Sequence, residues 1–465
     1  MEIHVELSTK TKAFCNCENS FGKEPNTSVC PVCLGLPGAL PVLNEEGVQY
    51  GILAGLALHC HIHEYSKFDR KNYFYPDLTK GFQLTQNDQP ICTDGYLEIG
   101  QGEEKKKIRI RQIQLEEDTG KAIHPAEGDT LLDYNRCGVP LIEIVSQPDL
   151  NSGQEAREFL EKLKATLKYI GISDCKMEEG SLRCDVNINI KNLDTNEVSA
   201  IAEIKNLNSF RGVQKAIEYE EKRQKAMMER GEKEEKTTRR WDDVKEETVL
   251  MRVKYTANDY RFAPDGDLPL LHIDDAVLQK VKDTMPELPE ERALRFEKDY
   301  KLSPYDAQIL TSSKKIGDFF EEVGKDFGDY NLLSNWIMGE VLRRVDVDGK
   351  EWVPFTAEEF RELLVEVKEN RINNNAGKKV LRKMFEDGGK PKDLIQEMGL
   401  GQISDSQALE EMVQEVLQEN PQSVEDFKGG KDRALGFLVG QVMKKSKGKA
   451  NPQMVNQLLQ NELKK

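Results

Sequence analysis

Cys15-x-Cys17 and Cys30-Pro31-Val32-Cys33 are two cysteine pairs, each close enough in sequence to grip one ion, with twelve residues between them. Tetrahedral zinc takes four soft thiolates, and two short pairs joined by a loop supply them. Gly22, Pro25, Asn26 and Ser28 suit the turns such a loop needs. A shell closed by four cysteines leaves no open coordination position. Zinc there staples a loop, and the chemistry lies elsewhere.

A second set of residues suits that chemistry. Glu2, His4 and Glu6; Gln114, Glu116, Glu117 and Asp118; Glu178 and Glu179; Asp185; and Glu203 are carboxylates and polar groups on or beside strand-like segments. Magnesium takes oxygen ligands of this kind. Cations are interleaved with them: Lys121 follows Glu117-Asp118-Thr119-Gly120, Arg183 stands beside Asp185, and Lys205 beside Glu203. Metal-assisted phosphoryl transfer needs both, because the ion bridges phosphate oxygens while fixed cations offset charge in the transition state. Arg183 and Lys205 are therefore candidate catalytic cations. A third segment, Ser66 to Asp77, alternates basic and aromatic residues. Lys67, Arg70, Lys71 and Tyr75, with Lys121, are candidates for holding a nucleotide's base and phosphates. The same segment also reads as an aromatic core strand. There is no Walker loop and no dinucleotide-binding glycine fingerprint, so an ATP site here is of another kind. No Gly-Ser-rich stretch with a paired Lys suggests an amidase, so this chain does not make ammonia from glutamine.

Strands must hold most of these groups. Glu2-Ile3-His4-Val5-Glu6-Leu7 alternates strictly, with Ile3, Val5 and Leu7 toward a core and the polar residues opposite. Asp185 to Ile190 repeats the pattern, and Ile108, Ile110, Ile113 and Leu115 alternate with one slip at Gln112, as at a bulge. Ser152-x-x-Glu155 predicts a capped helix through Phe159, Leu160, Leu163, Leu167 and Ile170, and Val48 to Leu58 a second, small-residue helix. Glu218 to Glu247 is almost all charge and reads as a solvated helix or hairpin arm. After Pro286-Glu287-Leu288-Pro289 the pattern is helical throughout.

The composition bounds the class. The chain has 465 residues, 32% of them charged, and a formal charge of −16. That length allows two or three domains, and no apolar run approaches a membrane span. Nine cysteines beside a zinc pattern and without a secretion signal fit a reducing cytoplasm. Cys60, Cys92, Cys137, Cys175 and Cys184 read as buried free thiols. The acidic average hides a basic end: from Lys428 onward, eight Lys and Arg433 face only Asp432 and Glu462. Lys444, Lys445, Lys447 and Lys449 would suit a phosphate backbone.

Taken together these blocks resemble the GatB family, the B-type subunits of aspartyl/glutamyl-tRNA amidotransferases. The resemblance rests on Glu2 to Leu7, Pro31 to Gly38, Phe68 to Asp77, Glu116 to Lys121, Pro140 to Val145, Met177 to Asp185 and Glu203 to Phe210. It continues through Gly436 to Gln441 and Gly448 to Pro452. It implies an α+β chain: a glutamine-synthetase-like antiparallel-sheet cradle with a zinc-stapled loop over 1–290, a helical domain over 291–400, and a YqeY-like tRNA-binding tail over 401–465. It also implies a glutamine-dependent carbon–nitrogen ligase. In that family, ATP and Mg2+ phosphorylate the side-chain carboxylate of Glu-tRNA(Gln) or Asp-tRNA(Asn), and ammonia channelled from an A-type glutaminase (amidase) partner displaces phosphate. A small C-type partner clamps the two together, giving a heterotrimer. Carried over, the resemblance gives metal roles to His4, Glu117 and Glu203, and to Glu2 and Asp185. It sets Glu116 or Glu117 where ammonia arrives, as the group that takes its proton. The chain departs from the family at Gln114, where a His is common, which removes a base there. It departs also at Asp259 to Gly266 and at Asn373-Asn374-Asn375.

Two other classes compete: a stand-alone carboxylate kinase using free ammonia, and a non-catalytic zinc-stapled tRNA-binding protein. A fixed glutaminase partner separates the first from the amidotransferase reading, and ATP cleavage stimulated by charged tRNA separates the second.

Overall fold

The computed structural model describes residues 1–465 except 101, 126–127, 254–259, 348–351, 402–405, 429–432, 447–449, 451 and 464–465. The chain divides into two units, Met1–Leu288 and Pro289–Lys465.

The first unit is built on a nine-stranded sheet. Its spatial order is Glu247–Val253, Thr237–Asp242, Ala202–Lys205, Leu182–Ile188, Glu2–Glu6, Pro140–Ser146, Lys106–Glu117, Cys92–Ile99 and His61–Ile62. The pairs are antiparallel except Ala202–Lys205 with Thr237–Asp242, which is parallel, so the sheet is mixed rather than purely antiparallel. The helix Phe210–Glu229 makes the crossover that a parallel pair requires. Glu2–Glu6 lies in the middle, with Pro140–Ser146 on one side and Leu182–Ile188 on the other. The slip near Gln112 is a bulge: the register against Pro140–Ser146 shifts between Val145 opposite Gln112 and Ser146 opposite Ile110.

Alternation gives this sheet two unlike faces. Ile3, Val5, Ile113, Leu115, Ile142, Ile144, Leu182, Val186 and Ile204 are buried in one core cluster with Ile52, Phe159, Leu160, Leu163, Leu167 and Val213 from helices. Those helices are Glu45–Ala57, Gly153–Tyr169 and Phe210–Glu229. Asn44 caps the first, accepting from Glu46 and Gly47 N–H, and Ser152 caps the second, accepting from Glu155 N–H. Glu155 does not complete a capping box. It accepts instead from Asn151 N–H and Lys106. The opposite face carries the polar residues.

The charged stretch 218–247 is not a solvated arm. Glu220 and Gln224 are buried, as are Thr237, Thr238 and Arg239. Glu220 accepts from Arg223, Thr248 and Gln224, and Arg223 also meets Glu234. Composition misleads here because a satisfied buried network uses the same residues as a solvated surface.

The second unit is helical among its described residues, with two apolar clusters. Phe296, Phe320, Trp336, Phe360 and Leu364 belong to one. Leu409, Val413, Leu438, Val442, Val455 and Leu459 form the other. Of the basic residues of the tail, Lys428 ends the helix Pro421–Lys428, and Arg433, Lys444 and Lys445 sit on the helix Arg433–Lys445. Lys445 is spent on Glu415 and Glu419. Lys447 and Lys449 lie outside the described residues.

Candidate functional site

The polar face of the sheet gathers side chains from strands far apart in sequence. His4 stands opposite Glu143 on one neighbour and Arg183 on the other. Its Nε2 lies 3.6 Å from Glu143 and 3.9 Å from Glu116. One ligand atom from each of His4, Glu116 and Glu143 falls within 4.8 Å of the others. A second group, Glu2, Asp185 and Glu203, meets the same criterion a short way along the strands. Its charge is partly offset by Lys205, which pairs with Asp185 and lies 3.1 Å from Glu203.

The carboxylates of the first group take their hydrogen bonds from neutral side chains. Glu116 is 3% exposed and its contacts are neutral donors: Thr85 at 2.6 Å, Gln114 at 3.0 Å and Gln83 at 3.1 Å. Burial raises its proton affinity. Burial and the Glu116 charge push Glu143 up to about 8. Burial, with Arg183 adding to it, pushes His4 down to about 3, so its imidazole is neutral and can serve as a ligand. Gln114 donates its amide to both Glu116 and Glu143. A buried carboxylate, a half-buried one and a neutral imidazole could together hold a divalent cation, which would offset the carboxylate charge.

Glu117 does not join this group. Neighbours on a strand face opposite ways, and its carboxylate turns the other way, to Lys80 and Leu84 N–H. Asp118, at the strand end, pairs with Arg183 and lies 3.7 Å from Arg136. Burial and the Asp118 charge push Glu6 up to about 8. Beside Glu6 opens a cavity of about 450 Å³, with Lys23, Lys121 and Arg136 in its wall.

Four sulfurs, of Cys15, Cys17, Cys30 and Cys33, lie within 4.8 Å of one another. Cys30 and Cys33 Sγ are 3.9 Å apart, close to the spacing of two thiolates on one tetrahedral zinc. A hydrogen bond from Cys15 pulls Cys33 down to about 4, with buried Lys12 helping at 3.7 Å. A buried cation beside four thiols is the environment an anionic zinc–thiolate centre requires, so the donor set fits zinc. The knot abuts Glu117's partner. Thr79 donates to Cys33 O at 2.8 Å, and Gly35, at φ +66°, lets the loop lie against Lys80, where a Cβ would come within 2.7 Å of Cγ.

The remaining sequence candidates are distributed otherwise. Lys67 is held by Asp69 and Asp88, and Arg70 by Asp265 and Asp267, so internal carboxylates already occupy both. Lys71 stands opposite Gln83, one contact from Glu116, with its ammonium over the Tyr260 ring. Tyr75 is exposed. Glu179 pairs with Lys176. Sequence reasoning missed Glu143, Lys80 and Lys12. Glu143 had a signal, being the polar residue inside the apolar run Pro140 to Val145.

The chain is similar to known proteins along its whole length. A family model described as the GatB/GatE catalytic domain matches residues 1–279, and one described as the GatB domain matches 318–463. The B-type subunit of the aspartyl/glutamyl-tRNA(Asn/Gln) amidotransferase of Finegoldia magna is 51% identical over 465 residues, spanning all of this chain and 98% of that relative. Its counterparts from Clostridium tetani and Clostridium botulinum are 49% and 51% identical over 468 and 469 residues, each again with all of this chain and 98% of the relative covered. At that identity, over the whole length of both partners, the chain belongs to the GatB family, the B-type subunits of aspartyl/glutamyl-tRNA(Asn/Gln) amidotransferases.

Proposed function

We propose that this chain is the kinase and amidating subunit of a glutamine-dependent, tRNA-dependent amidotransferase. It acts on Glu-tRNA(Gln), Asp-tRNA(Asn) or both, in the cytoplasm, with an A-type glutaminase and a small C-type protein as its partners in a heterotrimer. The observation that carries the reading is the pair of ligand groups on one sheet face, His4–Glu116–Glu143 and Glu2–Asp185–Glu203, flanked by Lys71, Arg183 and Lys205. In this reading residues 1–290 do the chemistry, 291–400 form a helical domain, and 401–465 are a YqeY-like tail that meets tRNA.

A side-chain carboxylate is a poor electrophile. Its oxygen attacks the γ-phosphorus of ATP, ADP leaves, and the acyl oxygen becomes part of a leaving group. Magnesium held by the two ligand groups would neutralise phosphate oxygens. Lys71, Arg183 and Lys205 offset the charge that spreads over the transferring group. Lys121, in the wall of the cavity beside Glu6, would meet the nucleotide's phosphates in this reading, whereas Lys67 and Arg70 brace the segment. Ammonia then attacks the acyl carbon and phosphate departs. Glu116 or Glu117 takes the ammonium proton; in this reading the role falls to Glu117, which lies off the kinase face in a pair with Lys80. The zinc knot holds the loop that carries this pair's surroundings.

The test is the reconstituted heterotrimer with each charged tRNA, Mg2+, ATP and glutamine, following ADP and amide together. Charged-tRNA-stimulated ATP cleavage with amide formation is the expected result. Amide formation without ATP cleavage, or ATP cleavage indifferent to charged tRNA, would overturn the reading.

A further inference from the structure

Phe74 is 80% exposed, Tyr75 62% and Phe262 42%. These three large rings belong to one assembly. Tyr73 packs edge-on to Tyr75 and to Tyr260, with centroids 6.1 and 5.9 Å apart, and Tyr260 packs edge-on to Phe262 at 6.1 Å. Arg261 lies over Phe74 at 5.8 Å and Lys71 over Tyr260 at 4.9 Å. The backbone fixes the two segments to each other. Asn72 N–H donates to Tyr260 O at 2.9 Å, the Asn72 amide donates to Arg261 O at 2.7 Å, and Ala263 pairs with Arg70.

This ridge is continuous with the proposed kinase centre. Lys71 stands opposite Gln83, which donates to Glu116. Tyr73 continues that pairing, its N–H donating to Gly81 O at 3.2 Å. One end of the ridge therefore meets the carboxylates, and the other presents open aromatic faces to solvent.

We propose that Phe74, Tyr75 and Phe262 are a stacking platform for the unpaired 3′ nucleotides of the aminoacylated RNA, and that Arg261 meets the phosphates between those bases. The inference rests on the proposed function and names where its RNA substrate is gripped. Edge-to-face packing leaves ring faces open, which a flat base can cover, and base stacking tolerates any sequence. Arg261, set over Phe74, gives the complement to a polyanion that an apolar protein partner would not need. An aminoacyl ester sits on the last nucleotide. A platform adjoining Glu116 through Lys71 and Tyr73 is therefore where the preceding unpaired nucleotides must lie if the ester is to reach the carboxylates.

The experiment uses the intact complex and an aminoacylated acceptor minihelix carrying 2-aminopurine in its unpaired 3′ end, beside one lacking those unpaired nucleotides. Phe74→Ala and Tyr75→Ala each weaken binding of the intact minihelix by about tenfold and reverse the 2-aminopurine quenching. Binding of the shortened minihelix is unchanged. Tyr75→Phe restores both, because it keeps the ring face. Equal affinity and quenching in wild type and in both alanine variants overturns the platform. Loss of a partner protein from the Phe74→Ala complex also overturns it, since the surface is then a protein interface. Quenching in a wild-type complex that shows no tRNA-stimulated ATP cleavage supports the platform while defeating the proposed function.

Discussion

Replacing Arg183 with Met tests how the site's charges hold the sheet together. Arg183 pairs with Asp118, whose side chain is 5% exposed, and its charge also reaches Glu6 and His4. Removing one partner of a buried pair costs about 3–5 kcal/mol, mostly for the charge left behind. Two facts reduce that here. Asp118 keeps Thr119 N–H at 2.8 Å and Arg136 at 3.7 Å, and Arg183 is itself 37% exposed. We expect Arg183→Met to destabilise the first unit by about 2–3 kcal/mol. Asp118→Asn added to it should return about 2 kcal/mol, because the stranded charge is gone. Urea titrations read by hydrogen exchange on peptides from Leu182–Ile188 and Thr237–Asp242 separate this unit from the helical one. A single-variant cost under about 1 kcal/mol, or strict additivity in the double variant, would refute the reasoning.

Three further predictions concern other parts of the molecule. The purified chain should carry one zinc, and Cys30→Ser should lose it and lower the melting temperature; full metal-free stability by mass spectrometry and calorimetry would contradict this. Glu321 is held down to about 2, because Arg295, Arg292 and Tyr300 outweigh its burial. Its contribution to stability is therefore complete above its ordinary value of 4.5 and is lost as pH falls toward 2. The destabilisation caused by Glu321→Gln should accordingly shrink from neutral pH to about pH 3 in matched melts, and a constant difference would contradict it. Neutralising Lys428 and Lys444 together should weaken tRNA binding and reduce its salt slope by about 1–2, while an unchanged slope would remove the tail from the interface.

Much of the scaffold was legible because it depends on local period. Strict alternation in Glu2 to Leu7 places Ile3 and Val5 under the helices and His4 on the open face. The slip at Gln112 marks a bulge. Two short cysteine pairs announce four converging sulfurs. What escaped depends on partners distant in sequence. Arg70 looked available for phosphate, yet it is taken by Asp265, 195 residues away. Glu143 reaches His4 only because Pro140–Ser146 lies beside Glu2–Glu6. Glu116 and Glu117 read as one acidic pair, although period-two geometry already sends them to opposite faces. The parallel pairing of Thr237–Asp242 and the buried Glu220 network were hidden by charge, since composition does not distinguish satisfied from solvated polar groups.

The most direct test of the proposed centre is single-turnover ATP cleavage by the reconstituted complex carrying Glu116→Gln, beside the same complex carrying Glu117→Gln. Each is measured with charged tRNA and with either glutamine or free ammonia. Glu116→Gln keeps the side chain's shape and removes one anionic ligand of the His4–Glu116–Glu143 group. It should lose about two or more orders of magnitude in tRNA-dependent ATP cleavage with either nitrogen source, with charged-tRNA binding and glutaminase activity retained. Glu117→Gln should keep ATP cleavage and lose amide formation. Wild-type ATP cleavage and amidation by Glu116→Gln would contradict the assignment and move the phosphoryl-transfer centre away from this face of the sheet.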